Sequence, residues 1–131
     1  MIYPEGTLTR DPDLWPMRSK TGAARVALET GCPVVPVGQW GTQRILSPYG
    51  IWPRLLPVRR VSVRAGPPVD LSAFGGRPLD AQVLSDATDA ILNQITELVA
   101  QLRGQRAPRT RWDPRDHDQP ETGNPHHRRH P

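Results

Sequence analysis

Residues 20–37 read KTGAARVALETGCPVVPV, and the fold class can be inferred from this stretch. Its first part, residues 20–30, has the apolar spacing of a short helix that must pack against a sheet to be stable. Gly31 is well placed to end this helix, because glycine readily adopts the left-handed conformation of helix C-termini. Residues 33–37 are a β-branched run bounded by proline and glycine, the pattern of a strand buried on both faces.

Strands are also predicted at residues 1–3 and 58–65, on either side of this stretch. Pro4 stops the first because proline cannot donate to a sheet ladder, and the second alternates in polarity as a half-exposed strand does. A long amphipathic helix is predicted from a cap at Asp80 to Gly104. Six residues form its apolar stripe: Leu84, Ala87, Ile91, Ile95, Leu98 and Leu102. This order of elements indicates an α/β domain.

Residues 105–131 differ in composition from the rest of the chain. They contain five of the 16 prolines and all four histidines, and Trp112 is their only aromatic residue. So few apolar side chains cannot offset the entropy lost when a backbone is ordered. We therefore expect a domain over residues 1–104 and a disordered tail over residues 105–131, in a chain whose 131 residues allow one domain at most.

The basic charge of the chain is concentrated in one region. From residue 31 to residue 68 the sequence has five arginines and no acidic residue, within a net charge of +4. Such a field favours phosphate-bearing partners, whether lipid headgroups, acyl carriers or nucleic acid, although a solvated arginine face is an equally good interpretation. The single cysteine, Cys32, excludes an internal disulfide, and no apolar run is long enough for a membrane-spanning helix.

Residues 50–56 combine apolar side chains with a charge, since Trp52 and Leu55 flank Arg54. An apolar wedge beside a cation is what a peripheral membrane contact needs. The alternative is a hydrophobic plug over the core. In that case truncation of Trp52 and Leu55 would unfold the domain rather than weaken its binding to liposomes.

Glu5, Gly6 and Thr7 directly follow the first predicted strand. In open α/β sheets, ligands bind beyond the carboxyl ends of strands, and glycine lets a backbone amide approach an anion. Arg10 follows three residues later and would suit a charge-assisted contact with a phosphate. These residues predict a small-ligand site, and a simple strand-to-loop turn is the alternative.

The string YPEGT at residues 3–7 resembles the acceptor-binding motif F-P-E-G-T-R-S of the glycerolipid acyltransferases. Residues 32–37, CPVVPV, resemble the family's later motif V-P-V-V-P-V, and the two occur in the family's order. The chain is thus similar to the 1-acyl-sn-glycerol-3-phosphate acyltransferases over about the second half of their domain. The resemblance implies a mixed sheet flanked by helices, with the N-terminal portion of the domain missing.

By this resemblance, Glu5 and Gly6 would line the site of the glycerol phosphate acceptor, and Thr7 would hydrogen-bond near it. Leu8 stands where the family has arginine, so we expect Arg10 to take over the phosphate contact. The implied reaction transfers an acyl group from acyl-CoA or acyl carrier protein to lysophosphatidate, giving phosphatidic acid. The implied location is cytoplasmic, peripheral to the inner face of the membrane. No cofactor or metal is implied.

The family's base is a histidine in a His-x4-Asp motif that precedes the Glu-Gly-Thr segment. Residues 1–104 contain no histidine, and neither His117 nor His126 has an aspartate five positions later. We therefore name no catalytic residue and expect a truncated, inactive part of a phospholipid-biosynthesis enzyme. The alternative is a non-catalytic module that binds phospholipid or acyl carrier. A nucleic-acid-binding protein is least favoured, because the sequence lacks aromatic platforms and a recognition helix.

Overall fold

The computed structural model describes residues 1–46, 52–54 and 56–119. Within these residues the chain forms two α-helices, α1 (Gly22–Thr30) and α2 (Ala81–Arg103), and two strands, β1 (Val37–Trp40) and β2 (Ser62–Ala65). Short 3₁₀ helices lie at Thr42–Arg44, Ser72–Phe74 and Pro114–His117. The fold is a small α/β arrangement in the order helix, strand, strand, helix.

Helix α2 forms the centre of the core. It begins where predicted, since the Asp80 carboxylate accepts a hydrogen bond from the amide of Val83 (2.8 Å), and it ends at Gly104 with a φ of 63°. Eight of its residues are buried: Val83, Leu84, Ala87, Thr88, Ile91, Leu92, Leu98 and Val99. The buried surface is wider than the predicted stripe because α2 packs against α1 as well as both strands. No helix in the described ranges is both long and apolar enough to span a bilayer.

Helix α1 also lies where the sequence predicts it. The amide of Gly31 donates to the carbonyl of Ala27 (2.9 Å), and Gly31 closes the helix with a φ of 68°. Ala24 packs with Ala87 and Ile91 of α2 in the core. Because these alanines are small, the two helices can approach each other closely.

Strands β1 and β2 pair in an antiparallel sheet, with Val37 opposite Ala65. One face of the sheet lies on α2, where a β-carbon added at Gly38 would be 2.8 Å from the β-carbon of Leu98. The opposite face is open, since Val37 is 43% exposed and Val63 is 61% exposed. The sheet is therefore covered by α2 on one face, and its other face presents exposed valines.

The prediction of a strand at residues 33–37, buried on both faces, is wrong in both the extent and the burial of the strand. Strand β1 starts only at Val37, and Val35 is 51% exposed. Pro33 and Pro36 explain the late start, because proline lacks the amide that a regular ladder needs. The backbone on this stretch makes isolated hydrogen bonds instead of a ladder.

Two other strand predictions also need correction. Residues 1–3 form no strand and are exposed, and the strand predicted over residues 58–65 is limited to Ser62–Ala65. The sheet among the described residues is two-stranded and antiparallel, so the mixed sheet implied by the resemblance is not observed. Strand limits are weakly encoded in a sequence, because ladder hydrogen bonds depend on a partner strand far along the chain.

We call residues 105–119 the C-terminal segment. Their composition predicts disorder, but in the structure they contact the rest of the protein. The amide of Arg18 donates to the carbonyl of Trp112 (2.8 Å), and Arg111 forms an ion pair with Asp89 of α2 (2.7 Å). Polar contacts thus hold this segment, and a count of apolar residues does not anticipate them. The remainder of the predicted tail lies outside the described residues.

Candidate functional site

The chain before α1 is an irregular loop whose shape is set by backbone hydrogen bonds. The amide of Gly6 donates to the carbonyl of Tyr3 (3.1 Å), and Gly6 has a φ of 65°, a conformation that favours glycine. The amide of Lys20 donates to the carbonyl of Pro4 (3.3 Å), which brings the two ends of the loop together. The Glu-Gly-Thr string therefore lies where the two ends of this loop meet.

Two buried side chains anchor this loop in the core. Trp15 is 6% exposed and Met17 is 1% exposed. The amide of Arg10 donates to the sulfur of Met17 (3.4 Å), and the guanidinium of Arg103 lies over the Trp15 ring. Neither anchor has a clear signal in the sequence, because isolated apolar residues between prolines show no periodicity.

A largely apolar cavity of about 630 Å³ lies between the loop, α1, α2 and the open face of the sheet. Its apolar wall includes Ile2, Tyr3, Leu8, Val26, Val35, Val37, Val63 and Ile91. Glu5, Thr7 and Thr9 add polar groups to the same wall. A mostly apolar cavity of this size with a few polar groups is typical of sites that bind small molecules.

Glu5 is a titratable group on the wall of this cavity. Burial raises the pKa of the Glu5 carboxyl from 4.5 to about 7, although a hydrogen bond with the Met17 backbone and the charge of Arg111 act to lower it. A carboxyl with this pKa is present in both protonation states near neutral pH, so it can donate or accept a hydrogen bond there. Sequence spacing does not reveal this property, because Met17 and Arg111 approach Glu5 only in the folded chain.

The structure places two of the four predicted site residues on one cavity wall. Glu5 and Thr7 both line it, and Gly6 forms the exposed turn between them. Arg10 is 8% exposed and is not among the described residues that line the cavity. The acceptor-site roles of all four residues stay predictions.

A second cavity, polar and about 350 Å³ in volume, lies where the C-terminal segment meets α2 and the start of α1. Four of its charged groups are paired, Arg18 with Asp113 (2.9 Å) and Arg111 with Asp89 (2.7 Å). Hydrogen bonds from Arg115, together with the one from Arg18, hold the pKa of Asp113 below its usual range. These pairs fasten the C-terminal segment to the rest of the protein. No group of three or more metal-ligating side chains is found in the described part of the chain.

The Acyltransferase family model matches residues 1–40 of this chain. The matched region contains the loop with Glu5 and Thr7, helix α1 and strand β1. This match supports a glycerolipid acyltransferase family and acyl transfer as the general function. It covers less than a third of the 131 residues, and β2, α2 and the C-terminal segment lie outside it. No curated protein and no solved structure matches the chain.

Proposed function

We propose that this chain takes part in acyl transfer from acyl-CoA or acyl carrier protein to 1-acyl-glycerol-3-phosphate, with phosphatidic acid as the product. The observation that carries the proposal is that the region matched by the family, residues 1–40, places Glu5 and Thr7 on the wall of an apolar cavity. The apolar wall suits an acyl chain, and the carboxyl and hydroxyl groups suit the glycerol hydroxyl of the acceptor. Lysophosphatidate contains both kinds of group.

The reaction joins the acceptor hydroxyl oxygen to the thioester carbonyl carbon, and the carbon–sulfur bond breaks to release the thiol. The hydroxyl proton has to pass to a base as the new bond forms. We assign Glu5 the role of a hydrogen-bond partner for the acceptor hydroxyl, which its pKa of about 7 allows in either protonation state. We assign no residue of this chain as the base, because its 131 residues contain no His-x4-Asp motif.

The acceptor phosphate needs a cation, and Arg10 is our proposal for it. Its backbone lies one residue beyond Thr9, which lines the cavity. The Arg10 side chain is buried in the structure, so contact with a phosphate requires the loop to rearrange. In an active enzyme that contains this chain, Arg10→Ala should raise the KM for the acceptor far more than the KM for the acyl donor. An equal rise in both KM values would rule out this role.

A second candidate function is a non-catalytic module that binds phospholipid or acyl carrier. The observation that favours it is the lack of any histidine in residues 1–104, in a protein that nevertheless has an apolar cavity. Binding of lysophosphatidate without chemistry needs the cavity alone. The two candidates therefore share a ligand and differ in turnover.

The test measures binding and turnover on the same preparation. Calorimetry with lysophosphatidate gives affinity, and release of free thiol from acyl-CoA gives turnover. We expect Glu5→Leu or Thr7→Val to weaken binding about tenfold, since each removes a hydrogen-bonding group and a lost hydrogen bond costs about 1.4 kcal/mol. Glu97→Leu, an exposed change on α2, is the matched control and should leave affinity unchanged.

The outcomes separate the candidates. Thiol release that depends on Glu5 and lysophosphatidate supports the acyltransferase. Because no residue of this chain is assigned as the base, binding without thiol release is expected of both candidates. It supports the binding module only when a longer protein that contains this chain also releases no thiol. Affinity that is equal in the wild type, Glu5→Leu and Thr7→Val would contradict both candidates as placed in this cavity.

A further inference from the structure

A second surface of the protein exposes large apolar side chains that do not line the cavity. Trp52 is 87% exposed, Leu56 is 84% exposed and Val58 is 90% exposed. Large apolar groups clustered in so short a stretch are unusual on a protein surface unless they contact something. The alternative interpretation of this region as a plug over the core is wrong for Trp52, and Leu55 lies outside the described residues.

Arginines lie among these apolar residues. Arg54, Arg59 and Arg60 are exposed, and none of them forms an ion pair within the described part of the chain. No acidic residue occurs anywhere from residue 31 to residue 68. The positive charge of the region is therefore not neutralised by neighbours in sequence. We call the six residues the apolar–basic surface: Trp52, Arg54, Leu56, Val58, Arg59 and Arg60.

The backbone on both sides of this surface is attached to the fold. The amide of Arg54 donates to the carbonyl of Ile45 (2.6 Å). Gly41, which follows β1, lies so close to the carbonyl of Arg60 that a β-carbon there would clash with it. The surface thus belongs to the connection between the strands, next to the ends of β1 and β2.

The apolar–basic surface is followed in the chain by β2, which borders the cavity. Val61 is 37% exposed and Val63 is 61% exposed, and their alternate positions place them on the same face of the chain. Val63 is one of the residues that line the cavity. The surface and the cavity are therefore neighbours along the chain.

From these observations we infer that the apolar–basic surface docks on an anionic phospholipid bilayer. Trp52 and Leu56 enter the interface between headgroups and acyl chains, and the three arginines contact headgroup phosphates. Charge complementarity favours an anionic partner, because these arginines have no acidic neighbours in sequence. The inference needs no chemistry in the cavity, so it does not depend on the proposed acyl transfer.

A bilayer fits this surface better than a nucleic acid does. Single strands bind by stacking successive bases on aromatic rings, and the described part of the surface presents one aromatic residue, Trp52. Leu56 and Val58 cannot stack on bases, whereas both contribute to insertion among lipids. Binding to nucleic acid is nevertheless measured as the alternative outcome of the test.

The experiment is co-sedimentation of the full chain with vesicles. One set contains phosphatidylcholine mixed with phosphatidylglycerol, and the other contains phosphatidylcholine alone. We expect binding to the mixed vesicles that weakens as salt is added, and little binding to the neutral ones. Loss of each arginine should weaken binding about fivefold, so the triple change R54Q, R59Q and R60Q should weaken it on the order of a hundredfold.

Two further variants make the result specific. The triple change R77Q, R106Q and R109Q removes the same charge from exposed positions elsewhere and should weaken binding far less. The double change W52S and L56S leaves the charge intact and should weaken binding about tenfold or more. All three variants should keep the circular dichroism spectrum and melting behaviour of the wild type, because every altered side chain is exposed.

Four results would overturn the inference. Equal losses in the two arginine triples would show attraction by net charge rather than by this surface. Equal binding to neutral and anionic vesicles, or unchanged binding by the W52S and L56S variant, would contradict the docking geometry. Binding to duplex DNA of random sequence that is lost with R54Q, R59Q and R60Q, without binding to vesicles, would identify a nucleic-acid surface instead.

Discussion

The guanidinium carbon of Arg103 lies 3.9 Å from the centroid of the Trp15 ring. The same group lies 4.1 Å from the centroid of the Trp40 ring, and Nη1 donates to the carbonyl of Asp13 (2.8 Å). A single side chain at the end of α2 therefore joins the loop before α1 to the end of β1. Because Glu5 belongs to that loop, the position of the cavity wall depends on a contact far from it in sequence.

Arg103→Met tests this attachment. Methionine keeps much of the apolar stem but loses the charge and the donors, so we expect the free energy of unfolding to fall by about 2 kcal/mol. Urea denaturation followed by circular dichroism measures the change. Arg106→Met, at an exposed position just beyond the helix, should cost less than about 0.5 kcal/mol. Similar losses in both variants would contradict a specific role for Arg103.

Gly38→Ala tests the close approach of β1 to α2. The added methyl group would lie 2.8 Å from the β-carbon of Leu98 and 3.1 Å from the backbone nitrogen of Val99, so either the strand or the helix must shift. Overpacking of this kind costs about 1–3 kcal/mol, and the midpoint of thermal unfolding should fall accordingly. Gly22→Ala is the control, since nothing lies within 4 Å of a β-carbon there. A melting temperature unchanged by Gly38→Ala would show that the interface is looser than described.

Glu5→Gln tests the shifted pKa through the pH dependence of stability. The folded protein holds the Glu5 proton more tightly than the unfolded chain, because burial raises the pKa from 4.5 to about 7. This contribution to stability is fully present below pH 4.5 and is lost as pH rises through 7. The loss amounts to at most about 3 kcal/mol, and glutamine, which cannot ionise, does not undergo it.

The measurement compares the free energy of unfolding of the wild type and Glu5→Gln across this pH range. Glu5→Gln should gain up to about 3 kcal/mol relative to the wild type between pH 4.5 and a pH above 7. Glu97→Gln, an exposed change on α2, serves as the control. Its free energy of unfolding should change with pH as that of the wild type does. Parallel curves for the wild type and Glu5→Gln would mean that Glu5 is solvated.

Asp113→Asn tests how the C-terminal segment is held. Its carboxylate accepts hydrogen bonds from Arg18 and Arg115 at 2.9 Å, and these two arginine side chains are about half exposed. With solvent screening, the loss should be about 1 kcal/mol, which corresponds to about fivefold faster amide hydrogen exchange in the segment. Because the pKa of Asp113 is lowered, this contribution is present above the ordinary value of 3.8 and is lost as pH falls below it.

The control for Asp113→Asn is Asp118→Asn, which removes an exposed carboxylate from the same segment. Exchange rates there should stay close to those of the wild type. Faster exchange throughout the protein in Asp113→Asn, rather than within the segment, would mean that the ion pairs support the whole fold.

Both helices could be predicted because their signals are local. Asp80 caps α2, Gly104 ends it, and Gly31 ends α1, each through a backbone conformation or hydrogen bond within a few residues. The motif string also predicts a site at Glu5 and Thr7, and both residues line one cavity. Such features are encoded by neighbours along the chain, so spacing and residue type are enough to find them.

The sheet, the cavity and the C-terminal segment depend on residues that meet only after folding. Because Pro33 and Pro36 lack amide donors, β1 starts at Val37 rather than at residue 33. From there it pairs with a strand from a distant part of the chain. The pKa of Glu5 reflects burial by the loop and the charge of Arg111, more than a hundred residues away in sequence. Desolvation and ion pairing are properties of neighbours in space. Composition therefore predicted disorder for the C-terminal segment, whereas contacts across the fold order it.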